Sequence, residues 1–199
     1  MDTVTGSPCI VWAQPQNALV AAGLRGVQVD RLVLVAFGTF LSARDDVLRA
    51  IVQGVLEGTR DTSVVVAAGE RTAKLSDLTG ERVVVLPSVP QQSLLEHVDV
   101  VIHHGGNNSF TESVRAGVPA LVLPFSSDQF AVARDAERAG TGVVVDPNAL
   151  TPADVARALD GLAAACSGLA YKTDRLRERG PRWGAARLMA AMGERALSR

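Results

Sequence analysis

From residue 31 onward, short continuous apolar runs alternate with longer segments in which apolar positions recur every three or four residues. The run RLVLVAFGT (31–39) is rich in branched residues and stops at Gly38, as a buried strand does, while ARDDVLRAIVQGVLEG (43–58) has the spacing of a helix ended by Gly58. The alternation repeats through SVVVAA (63–68, strand), RVVVLPSVP (82–90, strand and turn), QQSLLEHV (91–98, short helix), DVVIHH (99–104, strand) and NNSFTESVRAG (107–117, helix). PALVLPF (119–125) and GVVV (142–145) follow as strands, with helices over DQFAVARDAERAG (128–140) and TPADVARALDGLAAA (151–165). Strands that are apolar throughout and separated by helices predict an α/β fold: a parallel sheet with helices on both faces. Such sheets bind ligands outside the carboxyl ends of their strands, so every strand-to-helix loop is a candidate site.

The same pattern divides the chain. Residues 1–30 mix Gly, Pro and Gln without a period and read as a linker or N-terminal extension; residues 31–170 form the expected domain. Residues 171–199 are a basic tail, with eight Lys and Arg against Asp174, Glu178 and Glu194, expected as a solvated helix face or as a dock for an acidic partner or lipid. At 199 residues, 47% hydrophobic and 21% charged, the chain has ordinary globular composition. Its net charge of -1 argues against nucleic acid or an anionic membrane as a partner, so any anion must be bound locally. Cys9 and Cys166 have neither metal-type nor redox-type spacing and read as free thiols in a reducing compartment, with the cytoplasm as the expected location. The start MDTVTGSPCIVWAQP lacks a basic n-region and an apolar h-region, and no window reaches membrane-spanning length.

The chemistry concentrates in HHGGNNSFTESVRAGVPALVLPFSSDQ, residues 103–129. His103 and His104 end a strand, where neighbouring side chains point to opposite faces, so a metal site using both is geometrically poor and only one faces the loop. Gly105 and Gly106 permit a tight turn and close approach of a ligand to the backbone; Asn107, Asn108 and Ser109 open the next helix, whose free N–H groups suit an anion such as phosphate. A purely structural alternative is a capping box, in which Ser109 and Glu112 satisfy each other's backbone donors.

Taken whole, the stretch resembles the donor-binding signature of the two-domain, Rossmann-like GT-B type of nucleotide-sugar glycosyltransferase. This is the UDP-glycosyltransferase superfamily, which includes natural-product and antibiotic-tailoring enzymes. The plant form of the signature runs His-Cys-Gly-Trp-Asn-Ser, then Glu, Gly-Val-Pro, Pro and Asp-Gln at fixed offsets. Here His104, Gly105, Gly106, Asn107, Asn108, Ser109, Glu112, Gly117-Val118-Pro119, Pro124 and Asp128-Gln129 stand at those offsets. SVPQQSLLEHV upstream is similar to the family's base-binding loop and VAFGT to its first strand and phosphate loop, so the likeness runs from about residue 30 to about residue 165.

The resemblance implies one half of a GT-B fold that binds a UDP- or dTDP-sugar. In it, Thr39, His104, Gly106, Asn107, Asn108 and Ser109 would hold the diphosphate, and Ser88, Val89, Gln91 and Glu112 the base and ribose. Asp128 and Gln129 would hold the transferred sugar. The resemblance implies inverting transfer of a hexose to a small-molecule acceptor with no cofactor beyond the donor substrate, and the lack of an Asp-x-Asp points to a metal-independent mechanism. Ser88 stands where plant members stack a tryptophan on the base, which leaves uracil and thymine both open. The general base belongs to an acceptor-binding domain or subunit expected elsewhere than in these residues; His97 is not expected to replace it. A sugar-nucleotide epimerase and a non-catalytic nucleotide-sugar module remain as alternatives, whereas FGTFLSAR after the first strand lacks the Gly-x-Gly-x-x-Gly of a dinucleotide enzyme.

Overall fold

Arg31–Ala36 forms β1, and its side chains from Leu32 onward are buried on both faces because helices cover both. The computed structural model describes residues 31–38, 44–58 and 62–165. Five further strands follow: β2 (Thr62–Ala67), β3 (Val83–Leu86), β4 (Val100–His103), β5 (Ala120–Val122) and β6 (Gly142–Val144). They make one six-stranded sheet in the order β3-β2-β1-β4-β5-β6, parallel at every pairing. The chain steps outward from β1 to β3, then returns to lay β4 against the other side of β1, with Ala36 opposite His103. Ligand crevices form at such a reversal, because the loops leaving the two central strands diverge to opposite faces.

Right-handed crossovers put helices made before and after the reversal on opposite faces. One face carries α1 (Asp45–Gly58) and a 3₁₀ segment (Gly69–Leu78), whose Ile51, Val55 and Leu75 pack with Val33, Val35 and Ile102. The other carries α2 (Gln91–Leu95), α3 (Asn107–Ala116) and α4 (Ser127–Ala139), whose Leu95, Phe110 and Ala136 pack with Leu34, Val101 and Val122. The last helix, α5 (Pro152–Ala165), returns to the first face against α1. Strand alternation produces this division: even-numbered residues of β1 face α2 to α4, and odd-numbered ones face α1.

The parallel α/β expectation holds, with three differences of detail. The strand expected over 119–125 is only Ala120–Val122, since Pro119 and Pro124 at its ends have no N–H to pair. The helix expected from residue 43 begins at Asp45, and the strand expected to residue 39 ends at Ala36. The 3₁₀ segment had no counterpart in the sequence reading, because only Leu75 of its ten residues is buried and no apolar period exists to betray it. It is tied to α1 by Arg49 with Asp77 at 2.6 Å and Arg71 with Asp45 at 2.6 Å. The N-terminal extension 1–30, Thr39, and the basic tail 171–199 lie outside the described residues.

Gly54 sets how closely α1 and α5 approach. A Cβ there would lie 2.6 Å from Cβ of Val155 and press on the Pro152 carbonyl, both on rigid parts of the neighbouring helix. Alanine is worth about 1 kcal/mol more than glycine inside a helix, but overpacking costs roughly 1–3 kcal/mol. Gly54→Ala is therefore expected to lower the denaturation midpoint, with a net loss of up to about 2 kcal/mol by these principles. An unchanged or raised midpoint would show that the two helices separate freely.

Candidate functional site

At the reversal point the turns leaving β1 and β4 meet. Gly38 follows β1 with φ of 70° and Gly105 follows β4 with φ of 88°, left-handed conformations that side chains resist. Between them lies His104, and the space around its ring exists because glycines flank it. A Cβ on Gly38 would come within 3.3 Å of His104 Cε1, and one on Gly106 within 2.5 Å of His104 Nε2. From below, Phe37 supports the imidazole with ring centroids 6.3 Å apart, and Phe125 meets Phe37 edge-on at 5.8 Å.

The two histidines divide as strand alternation requires. His103 is fully buried, its Nδ1 accepting from the Gly105 N–H at 2.9 Å. That bond fixes the turn that presents His104, and it requires an unprotonated Nδ1. Burial, reinforced by the charge of nearby His104, lowers the His103 pKa to about 3, so the ring is neutral and carries its proton on Nε2, which has no partner among the described residues. His104 is half-buried; desolvation lowers its pKa, and the carboxylate of Asp128 opposes that shift. Its Nδ1 is buried and has no partner among the described residues, so the tautomer that leaves a lone pair there places the N–H on Nε2, on the Gly106 side.

Gly106, and not one of the three polar residues after it, is the N-cap of α3, and no side chain caps that end. The first bond onto Gly106 comes from Phe110 N–H at 3.0 Å, which leaves the N–H groups of Asn107, Asn108 and Ser109 without acceptors among the described residues. Such an end carries a partial positive charge and outward-pointing donors. The capping box weighed for Ser109 and Glu112 is not formed, because the helix starts three residues earlier than that alternative requires and Ser109 falls at its third position. A capping box does exist at α4, between Ser126 and Gln129, and the sequence signal for it (Ser, two residues, Gln) was legible but overlooked. Gln129 Oε1 accepts from Phe125 N–H at 2.8 Å and Ser126 N–H at 3.3 Å, which leaves the Nε2 amide for anything outside.

Glu112 turns toward α2 instead. Gln91 Nε2 donates to its Oε2 at 2.7 Å and, more weakly, to Ser109 Oγ at 3.4 Å; Gln92 Nε2 donates to its Oε1 at 2.9 Å. The structure thus gathers Gln91, Ser109 and Glu112 on one side of His104. On the other side Asp128 and Gln129 belong to the first turn of α4, packed so closely on the Gly105 turn that a Cβ there would meet the Gln129 carbonyl at 3.1 Å. Ser88 is exposed and Val89 half-buried in the loop between β3 and α2. Gln92 and the adjacent Phe130, exposed on α4, are features that sequence reasoning did not single out.

Comparison with known proteins gives a consistent picture. A family model described as "Erythromycin biosynthesis protein CIII-like, C-terminal domain" matches residues 54–178. The chain is 31% identical over 133 residues to the uncharacterized UDP-glucosyltransferase YdhE of Bacillus subtilis (strain 168), covering 66% of this chain and 33% of that one. It is 32% identical over 133 residues to a sterol 3-beta-glucosyltransferase of Saccharomyces cerevisiae (strain YJM789), covering 62% of this chain and 11% of the other. Among solved structures, the glycotransferase of kitacinnamycin superposes with a TM-score of 0.70 at 27% identity, over 84% of this chain and 44% of that one. The chain therefore spans less than half the length of each of these proteins.

The neutrality of His103 sets a pH dependence. Because its folded pKa is depressed from 6.5 to about 3, its contribution to stability is fully present above pH 6.5 and is lost as pH falls toward 3. Between pH 7.5 and 5 that loss is about 2 kcal/mol. Urea unfolding at both pH values should show His103→Asn, which keeps an acceptor for Gly105 but does not titrate, losing about 2 kcal/mol less than wild type. Equal losses in the two proteins would mean that His103 is not held neutral by the fold.

Proposed function

Since the chain belongs to the erythromycin biosynthesis protein CIII-like C-terminal domain family, matched over residues 54–178, we propose that it binds a UDP- or dTDP-sugar for an inverting, metal-independent hexosyltransferase. The fold is one half of the GT-B glycosyltransferase architecture. The observation that carries the reading is the uncapped N-terminus of α3 beside His104 at the sheet's reversal: three free amides and an imidazole converging on one loop. In this reading the amides of Asn107, Asn108 and Ser109, with Ser109 Oγ, Thr39 Oγ1 and His104 Nε2, hold the diphosphate, which approaches closely at Gly106. Gln91 and Glu112 take the ribose, the backbone around Ser88 and Val89 takes the base, and Asp128 with Gln129 Nε2 takes the hexose hydroxyls.

Each assignment follows from the charge that develops. When an acceptor oxygen attacks the anomeric carbon from the face opposite the leaving group, the bond to the diphosphate breaks and its electron pair moves onto phosphate oxygens. Donors aimed at those oxygens before reaction are worth more in the transition state than in the ground state. A neutral His104 suits this, since it donates without a desolvated charge to maintain. The proton of the acceptor hydroxyl goes to a general base on an acceptor-binding half, and the exposed Phe130, beside the sugar end, is an apolar surface for that half to cover. The domain of residues 31–170 then acts in the cytoplasm and shows little transfer alone.

Thermal denaturation of the full chain with a panel of nucleotides tests this reading. UDP or dTDP should raise the wild-type midpoint by several degrees and leave His104→Ala nearly unmoved, which corresponds to an affinity loss of about tenfold or more. Absence of any shift by either nucleotide at millimolar concentration would remove the proposal.

A further inference from the structure

We infer that Gln92 is a positioning residue which, by holding one oxygen of Glu112 while Gln91 holds the other, lets the site tell a ribonucleoside diphosphate from its 2′-deoxy form. The inference rests on the proposed nucleotide-sugar reading and adds to it a residue and a basis for substrate choice.

A glutamate on a helix has little reason to keep its carboxylate in one plane. Its terminal torsion is broad and two-fold, so a single donor leaves the group free to rock about that contact. Here the donors come in a pair: Gln91 on Oε2 at 2.7 Å and Gln92 on Oε1 at 2.9 Å, from consecutive residues at the start of α2. Consecutive helical side chains diverge, so the two amides reach Glu112 from different directions and fix the plane as well as the position. Gln91 is held in turn, since its second amide hydrogen reaches toward Ser109 Oγ at 3.4 Å.

What remains on the carboxylate has a shape. An ionised carboxylate has about four lone-pair sites, and the two amides take one on each oxygen. One on each oxygen is left, so each oxygen of the fixed carboxylate can still accept one of two neighbouring hydroxyls. A ribose offers such a vicinal pair at its 2′ and 3′ positions; a 2′-deoxyribose offers one. Without Gln92, Oε1 turns to solvent and the second acceptor position is no longer held in register, so the advantage of the second hydroxyl is lost first. Gln92 and its bond are exposed, which keeps the effect modest and keeps the residue out of the folding core.

Calorimetric titration of the full chain with UDP and with 2′-deoxy-UDP separates the possibilities. Wild type should bind UDP about tenfold more tightly than 2′-deoxy-UDP, the difference of one hydrogen bond to a charged acceptor. Gln92→Ala should lose most of that preference by weakening UDP alone, with 2′-deoxy-UDP affinity changed less than about twofold and the unliganded melting midpoint unchanged. Gln92→Glu keeps the size of the side chain but replaces the donor with a like charge, and should lose the preference at least as fully. A packing role for Gln92 would instead tolerate glutamate and weaken both nucleotides together. Retention of the wild-type preference in both variants, or equal weakening of both nucleotides, overturns the inference while leaving nucleotide binding intact. Equal affinity of wild type for the two nucleotides also overturns it, and failure of wild type to bind either overturns the underlying reading as well.

Discussion

The close meeting of two backbone turns on one imidazole governs the site. β1 and β4 run side by side with Ala36 opposite His103, so the turns that leave them collide unless side chains are absent. Gly38 and Gly106 remove those side chains where the ring of His104 must lie, and Phe37 closes the space beneath it. The ring is consequently held by shape, with no hydrogen bond to Nδ1 among the described residues. A group so placed presents Nε2 in one direction and bears no charge of its own to desolvate.

Electrostatics follow from that packing. Burial holds both histidines toward the neutral form, and the chain as a whole carries a net charge of -1. An anion at the reversal would therefore meet helix-end amides and neutral donors. Acidic groups stand at either flank, Glu112 with its glutamines and Asp128 at the start of α4, where carboxylates suit hydroxyl groups and would repel phosphate. The alternation of acceptor, donor cluster and acceptor along the sheet edge matches a molecule with hydroxyls at both ends and charge in the middle.

The sheet was legible because its strands are buried on both faces, and a run such as RLVLVA admits few other environments. The candidate site residues stand out only through the offsets of a whole signature: His104, Ser109, Glu112 and Asp128 have no individual pattern that separates a ligand contact from a capping or core residue. One local signal competed with the expected helix over residues 107–117, which the structure forms. Ser109 and Glu112 satisfy the capping-box spacing, yet the helix begins at Asn107 because the Gly105 turn, tethered to His103 Nδ1, delivers the chain into helical geometry earlier. The 3₁₀ segment and the role of Gln92 were invisible because each depends on a contact distant in sequence, with α1 in one case and with α3 in the other.

The distribution of satisfied and unsatisfied groups carries the last step. Most polar side chains around the crevice already have partners: Glu112 is doubly donated to, Gln129 Oε1 caps α4, and His103 Nδ1 holds Gly105. Those bonds fix orientation before any ligand arrives, so the ordering cost of binding is met in folding. The donors left without partners among the described residues include the first amides of α3, beside His104 Nε2. Acceptors already held in place on either side of these open amides suit the ligand proposed above, whose negative charge would lie at the amides. In the proposed function that charge grows as the diphosphate departs, and donors fixed beforehand then count for more than they do in retaining the ligand.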